Sequence, residues 1–220
     1  MGKSYKIFAF PEYRLLFLIA YPLCAIAGCA IVQMDLFSVL HRTFHFMVAS
    51  GIMASMIVII EIIGDHFLFG GVYARFGNKM EFLKLSEKGK SLYKSAMIMD
   101  QIRRTVFVIS VNLANAAIGI IGKGDLAGWL EISVLITYIL ITLVLCNVGI
   151  VICRFSQNPV VNIAVGYLAN IMLMLFMYVF SGPEVSLVVV NVVLAAGFVV
   201  SSIGSVWFSM KKMEESYHDE

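Results

Sequence analysis

Charged side chains are scarce in this chain. They make up 14% of its 220 residues, against about 25% in an ordinary soluble domain. Apolar residues make up 60% and the mean hydropathy is +0.92, which excludes such a domain. Cysteine is also sparse. Cys24, Cys29, Cys146 and Cys153 lie inside or at the edge of apolar runs, without the paired spacing of a metal site, and read as small buried hydrophobes. The motifs of intramembrane and soluble hydrolases are missing: there is no His-Glu-x-x-His pair and no Gly-x-Ser-x-Gly elbow. Gly119-Ile120-Ile121-Gly122-Lys123-Gly124 is glycine-rich, but its spacing is wrong for a phosphate loop and no Ser or Thr follows the lysine. The chain is therefore not expected to be an enzyme. No cofactor, metal site or nucleic-acid partner is expected, and any ATP hydrolysis belongs to a separate subunit.

What is present is long charge-free runs. They cover Leu15–Met34, Thr43–Ile60, Thr105–Gly122, Ile132–Cys153, Phe155–Pro183 and Val185–Met210. A membrane-spanning helix needs about 20 apolar residues to cross about 30 Å of hydrocarbon. Tilt would absorb the excess length of the last two runs. The runs lack the period-two alternation of strands, and backbone groups in lipid must be satisfied internally, so they read as helices. The expected fold is an all-α polytopic membrane protein with six transmembrane helices. Residues 1–14 would form a short N-terminal interfacial segment, 15–210 the six-span domain with a cytoplasmic loop at 71–104, and 211–220 a cytoplasmic tail.

Charge placement orients these runs. Arg75, Lys79, Lys84, Lys88, Lys90, Lys94, Arg103 and Arg104 are half of the sixteen basic residues and share one stretch. Placing both termini inside puts fourteen basic residues on the cytoplasmic side and leaves only Arg42 and Lys123 outside. Tyr5, Phe8, Phe10 and Tyr13, interleaved with Lys3, Lys6 and Arg14, suit the headgroup layer. Met1-Gly2 lacks the Ser or Thr at position six that myristoylation needs. Ile26-Ala27-Gly28-Cys29 resembles a lipoprotein cleavage site, but cleavage there would leave an odd number of spans, and small residues equally suit close helix packing.

Several residues stand out as candidates for function. Glu61 and Asp65 are four apart and share a helix face at the inner end of the second run, where they read as a membrane-interface polar pair bridging to Lys or Arg elsewhere. His41 and His45 lack a third ligand. Gly70-Gly71 is expected to end the second span and Gly77-Asn78 to form a turn. Ser86 can cap a helix with Glu87 in its first turn. Leu92, Ala96, Met99 and the stem of Arg103 share one face, Arg103 and Arg104 are placed to snorkel, and Asp100 can pair with Arg104 one turn on. Asn112, Asn115, Asn147, Asn162, Asn170 and Asn191 read as hydrogen-bonding glue between helices, and the small residues Ala195 to Gly204 suit close packing.

The segment Phe82-Leu83-Lys84-Leu85-Ser86-Glu87-Lys88-Gly89-Lys90, ahead of a helix from Ser91 to Arg104, is similar to the leucine-then-turn-then-basic segment of type-2 ABC transporter permeases. The layout of six spans with one large cytoplasmic loop after the second resembles the same family. Ser86 stands where that family commonly has proline, and Ser181-Gly182-Pro183-Glu184 is a tight turn where an outer hairpin is common. The resemblance implies the membrane subunit of an exporter in the plasma membrane, pairing with itself or a sister permease. It also implies that a separate ATP-binding subunit docks at Ser86, Glu87, Lys88, Gly89, Lys90 and Lys94. The alternatives are the substrate-binding membrane subunit of a vitamin importer, which would dock through small-residue helix faces, and a non-transporting scaffold or sensor.

Overall fold

The computed structural model describes residues 7–8, 19, 22–23, 26–27, 42–73, 86–123, 129–156, 158–180 and 186–215. Five helices carry most of these residues: α1 (Arg42–Tyr73), α2 (Glu87–Lys123), α3 (Trp129–Ser156), α4 (Pro159–Phe180) and α5 (Leu187–Glu215), with no strand among the described residues. The all-helical expectation holds. Among the described residues two stretches, Ile132–Ser156 and Leu187–Glu214, are long and apolar enough to cross a membrane, where six runs were expected along the chain. The apolar stretch of α4, Val160–Phe176, is shorter. In α1 and α2 the charges Glu61, Asp65, Asp100, Arg103 and Arg104 lie within the helix rather than beyond its end. The expected first span, Cys24, Cys29, His41, the Gly77-Asn78 turn and the 181–184 turn lie wholly or mostly outside the described residues.

Local chemistry sets the helix ends. Ser86 Oγ accepts a hydrogen bond from the Gly89 amide at 2.9 Å, so α2 begins with the expected serine cap. It then runs for 37 residues without a break, about 55 Å at 1.5 Å per residue. Asn158 Oδ1 accepts from the Val160 amide at 2.9 Å, and Pro159 supplies the preset first helical position. This start divides the 29-residue run expected from Phe155 to Pro183, so α3 keeps Phe155 and α4 is left with 22 residues and no excess length for tilt to absorb. Gly70-Gly71 does not end α1, which continues helically to Tyr73.

The helix α3 is the hub, packed chiefly against α5 and α1 and also against α4 and α2. Gly149 permits the close approach: a Cβ there would lie 2.7 Å from Ile62 Cδ1 and 3.3 Å from Val165 Cγ1, so side chains on α1 and α4 would both have to give. Gly149→Ala should therefore lower stability by about 1–2 kcal/mol through overpacking. Gly166→Ala, where a Cβ meets nothing within 4 Å, should instead raise it by about 0.5–1 kcal/mol by restricting the unfolded chain. Thermal unfolding of the two variants in the same detergent checks the contrast.

Apolar clusters fill the bundle. One end holds Leu68, Phe69, Tyr93, Ala96, Met97 and Met213, with Phe8 stacked edge-on to Tyr93 at 5.4 Å. Phe8 is thus buried in this cluster. Further along, Met53, Ile57, Val108, Val111 and Leu143 join α1, α2 and α3. The outward faces are apolar as well: Val192, Val193, Val200 and Ile203 of α5 are 64–71% exposed, as are more than half of the surfaces of Tyr167, Leu168 and Ile171 of α4. Contiguous apolar surface of this kind marks a lipid or partner interface.

Candidate functional site

Between the two apolar clusters lies a layer of charge. Glu61 and Asp65 from α1, Asp100, Arg103 and Arg104 from α2 and Arg154 from α3 meet there, three carboxylates and three guanidiniums. Glu61, Asp100 and Arg104 are 1% exposed. Arg103 reaches Glu61 with two parallel bonds of 2.9 and 2.7 Å, and also donates to Asp100 Oδ1 from Nε and Nη2 at 3.1 and 3.0 Å. Arg104 donates to Asp100 Oδ2 at 2.5 Å, to Glu61 Oε2 at 3.3 Å and to the amide oxygens of Gln101 and Asn147 at 3.0 Å each. Bidentate forks of this sort need arginine geometry, which lysine lacks.

Arg154 ties the third helix in. It donates to Asp65 from Nε at 2.9 Å and also from Nη2, to Ser209 Oγ of α5 at 2.7 Å and to Asp100 Oδ2 at 3.4 Å. Its guanidinium sits 5.1 Å from the Phe69 ring centroid. Asp100 is thus shared between Arg103 and Arg104 of its own helix and Arg154 of α3. Asn147 extends the layer to α5 by donating to Ser201 and Ser202 at 3.1 Å each, and Gln101 donates to Ser202 at 3.0 Å. The layer therefore links α1, α2, α3 and α5.

The acidic pair is paired with arginine, as the sequence suggested, but its partners differ from a loose surface ion pair in being buried. Arg103 and Arg104 do not snorkel outward; they turn into the bundle, because Glu61 and Asp100 offer charge-assisted acceptors there. Arg154, which the sequence placed in a cytoplasmic loop, is buried at the end of α3. The expected Asp100–Arg104 pair forms, as one part of this larger set. Among the asparagines, Asn147 and Asn191 bond across helices, the latter to Ser133 O and Thr137. Asn112 bonds within its own helix. Asn162 and Asn170 bury Oδ1 atoms that find no hydrogen-bond partner among the described residues, and the Asn115 side chain lies outside those described.

The basic turns expected to dock a partner are the first turns of α2. Glu87, Lys88, Lys90 and Lys94 are exposed, while Gly89 is buried beside the cap. Lys90 approaches Glu214 of α5 at 3.4 Å, both side chains about half exposed, a contact worth about 0–1 kcal/mol. Among the described residues no three His, Cys, Asp or Glu side chains are grouped to hold a metal. One signal in the sequence points to the buried layer: arginine, not lysine, stands at positions 103, 104 and 154, where the third, fourth and fifth apolar runs begin or end.

Among the described residues these features define an all-helical bundle with two helices long and apolar enough to cross a membrane and a buried layer of three carboxylates and three guanidiniums. Comparison with known protein families, characterised proteins and solved structures finds no match.

Proposed function

We propose that this chain is the membrane-spanning permease subunit of an ABC-type exporter, docking a separate ATPase through the start of α2. One observation carries the reading. The exposed basic turns Lys88, Lys90 and Lys94 lie on the same unbroken helix that delivers Asp100, Arg103 and Arg104 to the buried layer. A push on those turns would travel about 25 Å along a rigid element and reach α1 through Glu61 and α3 through Arg154. In this reading the chain has six spans, both termini inside, and pairs with itself or a sister permease. The layer then lies near the inner membrane border, since Glu61 is 19 residues, about 28 Å, from the start of α1. The apolar outward faces of α4 and α5 support membrane embedding.

The test is affinity purification of the full chain from native membranes in mild detergent, with ATPase activity measured in the eluate. Lys88→Glu/Lys90→Glu should lower ATPase recovery by about tenfold, since like charges placed across an interface cost several kcal/mol. Glu214→Gln, which removes the Lys90–Glu214 contact but keeps the lysines, should leave recovery intact. Equal recovery from the charge-reversed chain would refute docking at these turns. No ATPase with the wild-type chain would favour the scaffold reading.

A further inference from the structure

The buried face of α4 carries a polar stripe. Asn162, Gly166 and Asn170 stand on it at successive turns. Asn162 is 5% exposed, and its Oδ1 and that of Asn170 are buried without a hydrogen-bond partner among the described residues. Gly166, between them, is buried, yet a Cβ added there would meet nothing within 4 Å. A hollow therefore lies beside Gly166, with an orphaned amide oxygen one turn away on either side. Ser55 of α1 buries a third unpartnered oxygen, and its neighbour Ala54 shares a cluster with Leu173, about one turn beyond Asn170. We infer that this stripe is the inner part of a path for a small neutral solute bearing hydroxyl donors.

Helix register places one end of the stripe at the charged layer. Ile62 and Val165 both approach the space over Gly149, which sets them at one level. Further out Ala54 goes with Leu173, so α1 and α4 run antiparallel. Asp65 lies three residues inward of Ile62 and Asn162 three residues inward of Val165, so Asn162 stands level with the layer. Asn170 lies eight residues, about 12 Å, further out along α4. Each orphan is an oxygen acceptor, which only an N–H or O–H group can satisfy, and leaving it unmet in an apolar interior is costly. Charge does not suit the stripe. The three carboxylates of the layer are each met by arginine, so a cation would enter at hydrocarbon depth with no counter-charge offered, and acceptor oxygens give an anion nothing. A neutral donor suits both conditions. The inference rests on membrane embedding of the proposed permease and names its class of solute, but it does not depend on the ATPase.

Thiol modification tests the path. The full-length chain, with its four cysteines replaced by alanine, receives one cysteine at Asn162, Asn170 or Leu168 and is reconstituted in phosphatidylcholine vesicles. Leu168 is the control, 56% exposed on the outward face and two residues from Asn170. The neutral reagent 2-hydroxyethyl methanethiosulfonate should modify Asn162→Cys and Asn170→Cys about tenfold faster than Leu168→Cys, because a polar reagent is disfavoured in hydrocarbon. The ethyltrimethylammonium and ethylsulfonate reagents, each scaled to its rate with a simple thiol, should reach Asn162→Cys but modify Asn170→Cys no faster than Leu168→Cys. Adding Gly166→Leu should bring the neutral rate at Asn170→Cys down to that control while sparing Asn162→Cys. If the alanine-replaced chain is not recovered, the same variants are read against the native parent, in which Cys146 and Cys153 are buried. A neutral rate at Asn170→Cys no higher than the control would mean that water at most enters, and would overturn the proposal. Charged reagents that reach Asn170→Cys, or a Gly166→Leu chain that leaves it open, would do the same. The vesicles contain this chain alone, so a failure to recover an ATPase would refute docking and leave these rates unchanged.

Discussion

Neutralising Glu61 and Asp65 together should cost this protein most of its stability. In Glu61→Gln/Asp65→Asn, Asp100 would be the carboxylate left among the described residues to face Arg103, Arg104 and Arg154 inside the bundle. Removing one partner of a buried ion pair costs about 3–5 kcal/mol because the other charge stays buried, and here two of three carboxylates go. The loss should exceed about 5 kcal/mol, comparable with the whole stability of many domains. The expected result is a sharp fall in monodisperse protein on size exclusion in mild detergent and a large drop in thermal midpoint. The four-fold variant that adds Arg103→Gln and Arg154→Gln restores neutrality around the Asp100–Arg104 pair, and it should recover much of the loss, as replacing whole buried pairs is often nearly neutral. A double variant as stable as the wild type would mean that the layer is hydrated enough to tolerate the imbalance. A shallow interfacial anchor predicts only a modest effect, so this experiment separates the two pictures.

Composition alone revealed an apolar helical chain, because hydropathy is a local quantity that needs no partner to read. The serine cap of α2 was equally legible, since a side-chain oxygen and an amide three residues on are fixed by local geometry. The face made by Leu92, Ala96 and Met99 also packs as its helical spacing suggests. Boundaries between apolar runs were less legible. Counting charges ends the second run at Glu61 and starts the third after Arg104, yet each helix runs unbroken through these residues, because their charges are neutralised inside the bundle. Arg154 shows the same point: as a lone cation after 22 uncharged residues it reads as a loop marker, and only Asp65, 89 positions earlier in sequence, makes its burial affordable in free-energy terms.

The candidate site was legible by halves. The i, i+4 spacing of Glu61 and Asp65 and of Asp100 and Arg104 is visible along one helix, but the shared use of Asp100 by α2 and α3 depends on how the helices pack. Asn147 could not be singled out among six asparagines, since all have similar apolar neighbours and only packing gives this one Arg104, Ser201 and Ser202 as partners. The division of Phe155–Pro183 was within reach, because Asn158-Pro159 is a cap followed by a residue suited to the first helical position; a charge count passes over it.

Breaking the stiffness of α2 between its two working ends should disconnect them. Ser95 is exposed and lies midway between the basic turns and Asp100. A proline there removes one helical hydrogen bond and clashes with the preceding turn, a disruption of about 3 kcal/mol in a helix interior. It leaves Lys88, Lys90 and the Ser86 cap untouched. In the proposed exporter, Ser95→Pro should therefore still bind the ATPase, because the docking turns keep their own local geometry, but motion should no longer reach the ion-pair layer. Spin labels at the exposed positions Ile63 of α1 and Ile98 of α2 would read this directly in a chain whose cysteines are replaced by alanine. With the partner bound, ATP should change the label separation in the parent and leave it unaltered in Ser95→Pro, while Ser95→Ala behaves like the parent. The coupling lost is expected to be of the usual size between linked sites, about 1–3 kcal/mol. An ATP-dependent change that persists across the kink would show that α2 is not the lever, and the motion would then have to enter the bundle through another element.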